Sequence, residues 1–125
     1  MISRRGAALL GAGILASPGI LRAQDTYPNR PVRILVPYAA GGGQDITARL
    51  IAEPLRAALG QPVVVENRSG AAGIIGAQAL CQAPADGYTI AFHSMSSAVL
   101  NAGLYRNLSF DVRRAFIPVS LVGSL

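Results

Sequence analysis

The sequence of 125 residues has no tryptophan and no lysine, and it contains one cysteine and one histidine. A single cysteine excludes an internal disulfide framework and a zinc site built from several cysteines. After residue 25 no apolar run approaches the roughly 20 residues of a membrane-spanning helix. With 51% hydrophobic and 14% charged residues, the chain is not a disordered polar polymer. Its length fits one domain.

Positive charge is less abundant than the formal value of +5 suggests, because part of it lies at the N-terminus. From Gln24 onward, eight arginines face six acidic residues, so this part carries only +2. The arginines are scattered, whereas nucleic-acid binding requires a dense basic patch. We therefore expect no nucleic-acid partner.

The first 23 residues have the three parts of an export signal. Arg4 and Arg5 form a positive start, Ala7–Ala16 is an apolar run, and Ala23 suits the last position before cleavage. We predict a signal peptide over residues 1–23, cleavage near Ala23 and a periplasmic domain over residues 24–125. Ser3-Arg4-Arg5 leaves twin-arginine export open beside ordinary secretion. An N-terminal membrane anchor is the weaker alternative, because the apolar run is short.

Beyond the leader, short β-branched runs alternate with segments of helical spacing. The predicted strands are Pro31–Pro37, Gln61–Glu66, Tyr88–His93 and Phe116–Val122. The predicted helices are Gln44–Leu59, Ile74–Gln82 and Ala98–Leu104. Such alternation predicts an α/β fold, in which a parallel sheet has helices on its faces.

The first helix is predicted to bury one broad apolar face and to bend at Pro54, where a backbone donor is lost. That face comprises Ile46, Leu50, Ile51, Leu55, Ala58 and Leu59.

Small-residue loops follow the first three predicted strands, so they should converge on one edge of the sheet. Ala39–Gly43 leads into a helix N-terminus, where free N–H groups favour an anion. Its glycines permit close backbone approach, which predicts a carboxylate or phosphate cradle. A plain turn capped by Asp45 is the open alternative. The loop lacks the Gly-Lys-Ser/Thr of a P-loop.

The other two loops are less specific. Ser94, Ser96 and Ser97 offer hydroxyl donors to a carboxylate, or they cap the next helix. The spacing of Gly70, Gly73 and Gly76 is not a dinucleotide fingerprint, and it favours close helix packing over ligand contact.

Catalytic and metal chemistry find little support. His93 and Ser94 are adjacent and no G-x-S-x-G elbow is present, so a packed histidine is favoured over a catalytic one. Cys81 is expected to be a buried, inert thiol. The acidic residues show no paired spacing. We expect no catalytic residue, metal or cofactor, although a small exported α/β hydrolase using Ser94 and His93 stays open.

Blocks of sequence from end to end of the mature chain resemble the Bug family (TctC-like), the extracytoplasmic solute-binding receptors of tripartite tricarboxylate transporters. The matching blocks are Tyr27–Arg33, Pro37–Gly42, Asp45, Ala48–Arg49, Leu59–Arg68, Gly70–Gly73, Ala85–Thr89, Asn101, Leu104–Tyr105 and Phe116–Val119.

The resemblance implies a two-lobed periplasmic binding protein that closes over a small organic carboxylate and delivers it to a membrane permease. It implies that the loops at 39–43 and 94–97 hold the ligand carboxylate. Together with the residues above, the expected ligand-binding set is Tyr38, Ala39, Ala40, Gly41, Gly42, Gly43, Asp45, Ser94, Ser96 and Ser97.

The sequence departs from the family pattern at three places. Gln44 stands where threonine is common, and Gly103 stands where proline is common. The chain also ends at Leu125, well short of the family's length. We therefore expect a partial first lobe, a truncated N-terminal fragment of the receptor. A truncated lobe without function is a further alternative.

Overall fold

The computed structural model of the chain describes residues 26–105 and 108–123. The predicted export signal, residues 1–23, lies outside the described residues. The strands are β1 (Val32–Val36), β2 (Val63–Asn67) and β3 (Thr89–Ala91). The helices are α1 (Gly43–Leu59), α2 (Ile74–Gln82), α3 (Met95–Leu104) and α4 (Val112–Ala115), and a 3-10 turn, Ala71–Gly73, precedes α2.

The three strands form one parallel sheet in the order β2-β1-β3. Ile34 lies at its centre, in register with Val65 on one side and Ile90 on the other. A parallel sheet with flanking helices confirms the predicted fold class. The chain moves from β1 to β2 and then crosses back to β3. Because such crossovers are right-handed, the connecting helices α1 and α2 lie on opposite faces.

Strand β1 is the centre of the core. Ile34 and Val36 pack against Ala48 and Ala52 of α1, and all four are buried. Small alanines let the helix lie close to the sheet, and the flanking half-buried side chains complete this layer. Burial of an aliphatic side chain stabilises the fold by about 1.5–3 kcal/mol.

On the other face, α2 approaches the end of β1 through a glycine. A Cβ atom on Gly76 would lie 2.5 Å from Cβ of Pro37 and 2.9 Å from the carbonyl oxygen of Arg68. The predicted packing role of this glycine is therefore confirmed, since any side chain would force the helix outward.

Two predicted elements are wrong. Helix α3 begins at Met95 rather than Ala98, so Ser94–Ser97 is not a loop. Phe116–Val122 is not a strand: α4 precedes it, and Ile117 and Val119 are 89% and 85% exposed. Pro118 has no N–H to donate to a ladder, and no described strand pairs with the segment.

The predicted buried face of α1 is also partly wrong. Ile46 and Leu50 are 52% and 69% exposed. The helix instead turns the face that carries Asp45, Ala48 and Ala52 to the protein interior, because small residues allow closer packing there. The helix continues through Pro54.

Cys81 was expected to be buried, but it is exposed on α2. Within the described residues, no helix is long and apolar enough to cross a membrane.

Candidate functional site

The carboxyl edge of the sheet holds the predicted ligand loops. Strands β1 and β3 are neighbours and parallel, so the segments that follow Val36 and Ala91 leave the same edge side by side. The chain also reverses its winding direction between these strands. Open α/β sheets bind ligands in the crevice at such a switch point.

Helix α1 presents an open N-terminus at this edge. Gly42 is the N-cap residue, and no described side chain caps the helix. The first-turn N–H groups of Gly43, Gln44 and Asp45 have no intrahelical acceptor, as helix geometry dictates. Gly41, Gly42 and Gly43 are exposed. The start of α1 thus offers backbone donors without an intrahelical acceptor, next to exposed glycines, at the positive end of the helix dipole.

Helix α3 also begins at this edge of the sheet without a side-chain cap from the described residues. Ser94 is the N-cap residue, yet its side chain caps nothing in the described part of the chain. Ser96 and Ser97 lie in the first helical turn rather than in a loop. The alternative that these serines only cap the helix has no hydrogen bond to support it. A second set of backbone donors therefore lies at the same edge.

Asp45 occupies the protein side of the first loop. Its Oδ2 accepts a 2.8 Å hydrogen bond from the N–H of Gly41. Arg49 Nε donates to Oδ1 and Oδ2 at 3.0 and 3.1 Å, and Asn67 Nδ2 donates to Oδ1 at 3.0 Å. The residue is 3% exposed. These bonds, led by the one from Arg49, lower the pKa of Asp45 to about 2.

The alternative of a strand-to-helix turn capped by Asp45 stays open, because Asp45 does bond to this turn. Its carboxylate turns back to the loop amide of Gly41 instead of the first-turn amides of the helix.

Tyr38 and His93 lie between the two loops. Their ring centroids are 5.8 Å apart, and the Tyr38 hydroxyl is buried without a hydrogen-bond partner among the described atoms. His93 Nδ1 lies 2.7 Å from the carbonyl oxygen of Ser94. In the described structure, no hydrogen bond joins this ring to a serine hydroxyl. The geometry thus does not favour the hydrolase alternative.

The loop after β2 contributes a tight left-handed turn that the sequence reasoning missed. Ala71 and Ala72 have φ values of 46° and 54°, and the Gly73 N–H donates to the carbonyl oxygen of Gly70 at 3.0 Å. Buried Asn101 of α3 donates from Nδ2 to the Ala72 carbonyl oxygen at 2.9 Å. The turn and α3 are thereby joined.

The opposite, amino edge of the sheet carries a shallow groove of about 380 Å³. Arg30 pairs with Asp86 at 2.6 Å and lies over the Tyr88 ring, 4.1 Å from its centroid. Arg33 pairs with Glu66 at 3.2 Å. Because its charges already have partners, the groove is a weaker candidate than the carboxyl edge. Among the described residues, no group of His, Cys, Asp and Glu could hold a metal ion.

Comparison with known proteins shows the family of the chain. The profile of the tripartite tricarboxylate transporter family receptor (TctC) matches residues 47–124. The chain belongs to this receptor family.

Among its curated relatives, BugT of Bordetella pertussis is 47% identical over 103 residues, which are 81% of this chain and 31% of BugT. A second relative, from Agrobacterium vitis, is 44% identical over 98% of this chain and 34% of its own length. The receptor chain thus spans about a third of the length of the curated relatives it matches.

Solved structures show the same fold. MatC from Rhodopseudomonas palustris, with bound malate, is 35% identical with a TM-score of 0.64, over 74% of this chain and 32% of MatC. A second protein of that organism, with adipate, is 39% identical with a TM-score of 0.65, over 70% of this chain and 29% of its own.

Proposed function

We propose that the protein to which this chain belongs is a periplasmic solute-binding receptor. It captures a small organic carboxylate and presents it to the membrane permease of a tripartite tricarboxylate transporter. It performs no chemistry on the ligand, and a signal peptide over residues 1–23 exports it. The family profile and the relatives with malate and adipate support this proposal.

The observation that carries the proposal is the pair of uncapped helix N-termini at one edge of the sheet. Both α1 and α3 lack a side-chain cap within the described residues. A carboxylate oxygen is a pure acceptor, and a helix N-terminus supplies only donors. In this assignment the ligand contacts come from the loop and the helix starts: Tyr38, Ala39, Ala40, Gly41, Gly42, Gly43, Ser94, Ser96 and Ser97. Asp45, the remaining residue of the expected set, acts through its hydrogen bond to the loop instead of through ligand contact.

Proline substitution tests the backbone donors one at a time. Proline is well tolerated at the first position of a helix, where it removes one N–H. The preceding residues, Gly42 (φ −74°, ψ 165°) and Ser94 (φ −77°, ψ 125°), already have the extended backbone that proline requires before it. Gly43→Pro and Met95→Pro should therefore fold normally.

The readout is thermal stabilisation of the whole receptor by malate or adipate. Uncharged diamides of the same carbon-chain length serve as the ligand control. At 100 times Kd a ligand stabilises the fold by about 2.7 kcal/mol. We expect the prolyl variants to weaken this shift, and the matched Gly43→Ala and Met95→Ala variants, which keep the N–H, to retain it. Equal shifts with acids and diamides, or none with the acids, would contradict the proposal.

A further inference from the structure

Asp45, Arg49 and Asn67 form a closed hydrogen-bonded cluster that joins three elements. Asp45 accepts from Gly41 in the loop, from Arg49 one turn along α1, and from Asn67 at the end of β2. Arg49 Nη2 closes the ring by donating to Asn67 Oδ1 at 3.2 Å. Asn67 Nδ2 also donates to the Tyr38 carbonyl oxygen at 3.2 Å. The cluster therefore holds the loop at two points, Tyr38 and Gly41.

We propose that this cluster is the positioning device of the site: it holds residues 38–43 in the shape that keeps the first-turn amides of α1 open to the ligand. This inference rests on the proposed function for its ligand, but not for its geometry.

The loop needs such a device because its own sequence does not fix its shape. It contains three consecutive glycines, each with wide backbone freedom. Its internal backbone hydrogen bond, from the Gly42 N–H to the Ala39 carbonyl oxygen, is long at 3.3 Å. The 2.8 Å bond from Gly41 to Asp45 is shorter and ends on a charged acceptor, which strengthens it.

Asp45 is better suited to this role than to ligand contact. Both of its carboxylate oxygens are occupied by protein donors, and the side chain is buried. Its negative charge would repel a bound carboxylate, but the Arg49 guanidinium neutralises it locally. The anionic ligand thus meets backbone donors, while the fixed carboxylate stays behind the loop.

Amide hydrogen exchange at Gly41 tests the geometry on the chain itself. We expect Asp45→Ala to speed Gly41 exchange about tenfold or more, relative to the amides of Ile34 and Leu35, which report global opening. Asp45→Asn, which keeps an acceptor but loses the charge, should have a smaller effect. Glu53→Gln is the matched control, because it removes an exposed ion pair with Arg56 on the same helix, away from the loop.

Asn67→Ala provides a second route, should Asp45→Ala fail to fold. It removes the bonds from β2 to Tyr38 and Asp45 and the bond from Arg49 to Asn67, but it leaves the sequence of α1 unchanged, and it should also raise Gly41 exchange. If Gly41 exchange in Asp45→Asn and Asn67→Ala equals that in Glu53→Gln, the positioning role is refuted.

Titration with malate and adipate then links the cluster to binding. We expect about tenfold weaker binding in Asp45→Asn and unchanged binding in Glu53→Gln, because a loop that is no longer preorganised must be ordered by the ligand. Unchanged affinity in Asp45→Asn with faster Gly41 exchange would overturn the link to the ligand. If the whole receptor without substitutions binds neither acid, the proposed function fails, and the exchange experiment still decides whether Asp45 holds the loop.

Discussion

At the scale of single residues, the structure depends on a carboxylate behind the site loop and on a glycine between α2 and β1, and the surroundings of both restrict substitution. Asp45 is a buried charge with a full set of donors. Gly76 is a glycine with no room for a methyl group. Burial of a charge requires such donors, and close packing requires such a gap. Each residue therefore allows a sharp prediction.

Asp45 should make the chain sensitive to acid in a defined window. Its pKa is lowered to about 2 in the fold, first by the hydrogen bond from Arg49. Between that value and the unfolded value near 4, the unfolded chain binds more protons, so stability rises with pH. The contribution is fully present above about pH 4 and is lost as pH falls through about 2.

The measurement is urea unfolding of the unsubstituted chain and of Asp45→Asn from pH 2 to 6. The pKa values of Glu53 and Glu66 are also lowered, by hydrogen bonds from Arg56 and Arg68. They are common to both proteins and drop out of the difference. A difference between the two stabilities that does not change from pH 2 to 4 would contradict the assignment.

Gly76→Ala should destabilise the fold by about 1–3 kcal/mol, because the new methyl group overlaps Pro37 and the Arg68 carbonyl oxygen. Gly103→Ala is its counterpart in α3, where a Cβ atom meets nothing within 4 Å. There the gain in helix propensity should stabilise the fold, by at most about 1 kcal/mol. Relative to the unsubstituted chain, the thermal unfolding midpoints of the two variants should shift in opposite directions. Equal shifts would show that Gly76 is not a packing contact.

At the scale of elements, local sequence patterns predicted the three strands of the sheet and the helices beside it. They did not predict the element boundaries that depend on distant contacts. The runs of β-branched residues before Pro37 and Asn67 indicate strands by their composition alone. The start of α3 was missed because Ser-Met-Ser-Ser is typical of a loop, although Ser94 is also a favoured N-cap residue. Whether Phe116–Val122 forms a strand depends on a partner that the segment itself does not encode.

The candidate site divides in the same way. The loop and helix starts were predicted, because glycines and serines after strands are a local signal. Arg49, Asn67 and Asn101 were not assigned a role. Asn67 meets a residue 22 positions away and Asn101 one 29 positions away. Such pairings arise from the topology of the sheet. No pattern in a single sequence indicates a contact between two residues so far apart.

The left-handed turn before α2 should be strained, since non-glycine residues in this conformation cost about 1–2 kcal/mol each. Ala72→Gly relieves that cost but adds about 0.4–1 kcal/mol of unfolded-state entropy. The net result should be a small stabilisation, of about 0.5–1 kcal/mol, in chemical denaturation. Ala79→Gly, the same change inside α2, should destabilise by about 1 kcal/mol. If Ala72→Gly is as harmful as Ala79→Gly, the turn is not strained.

At the scale of the whole molecule, stability should decrease outward from β1. This strand is bonded on both sides, and its residues Val32, Ile34, Leu35 and Val36 are at most 3% exposed. Large apolar side chains on α3 and after α4 remain open to solvent: Met95 and Leu104 are 69% and 73% exposed. The core is thus small for the chain's apolar content. We expect the pairing of β1 with its two neighbours to be the most stable part of the fold.

Hydrogen exchange can rank these regions and decide the status of Phe116–Val122. In the structure this segment joins no described strand, and Leu121 is 75% exposed. Amides of Ile117, Val119 and Leu121 should therefore exchange close to the unfolded rate, while those of Ile34 and Leu35 exchange only on global opening. Protection of residues 117–122 comparable to β1 would mean that the segment pairs with a sheet edge, as its β-branched sequence predicts. The pairing would then take place at the outer edge of β2 or of β3, because β1 has both edges occupied and the order β2-β1-β3 leaves the two outer strands open.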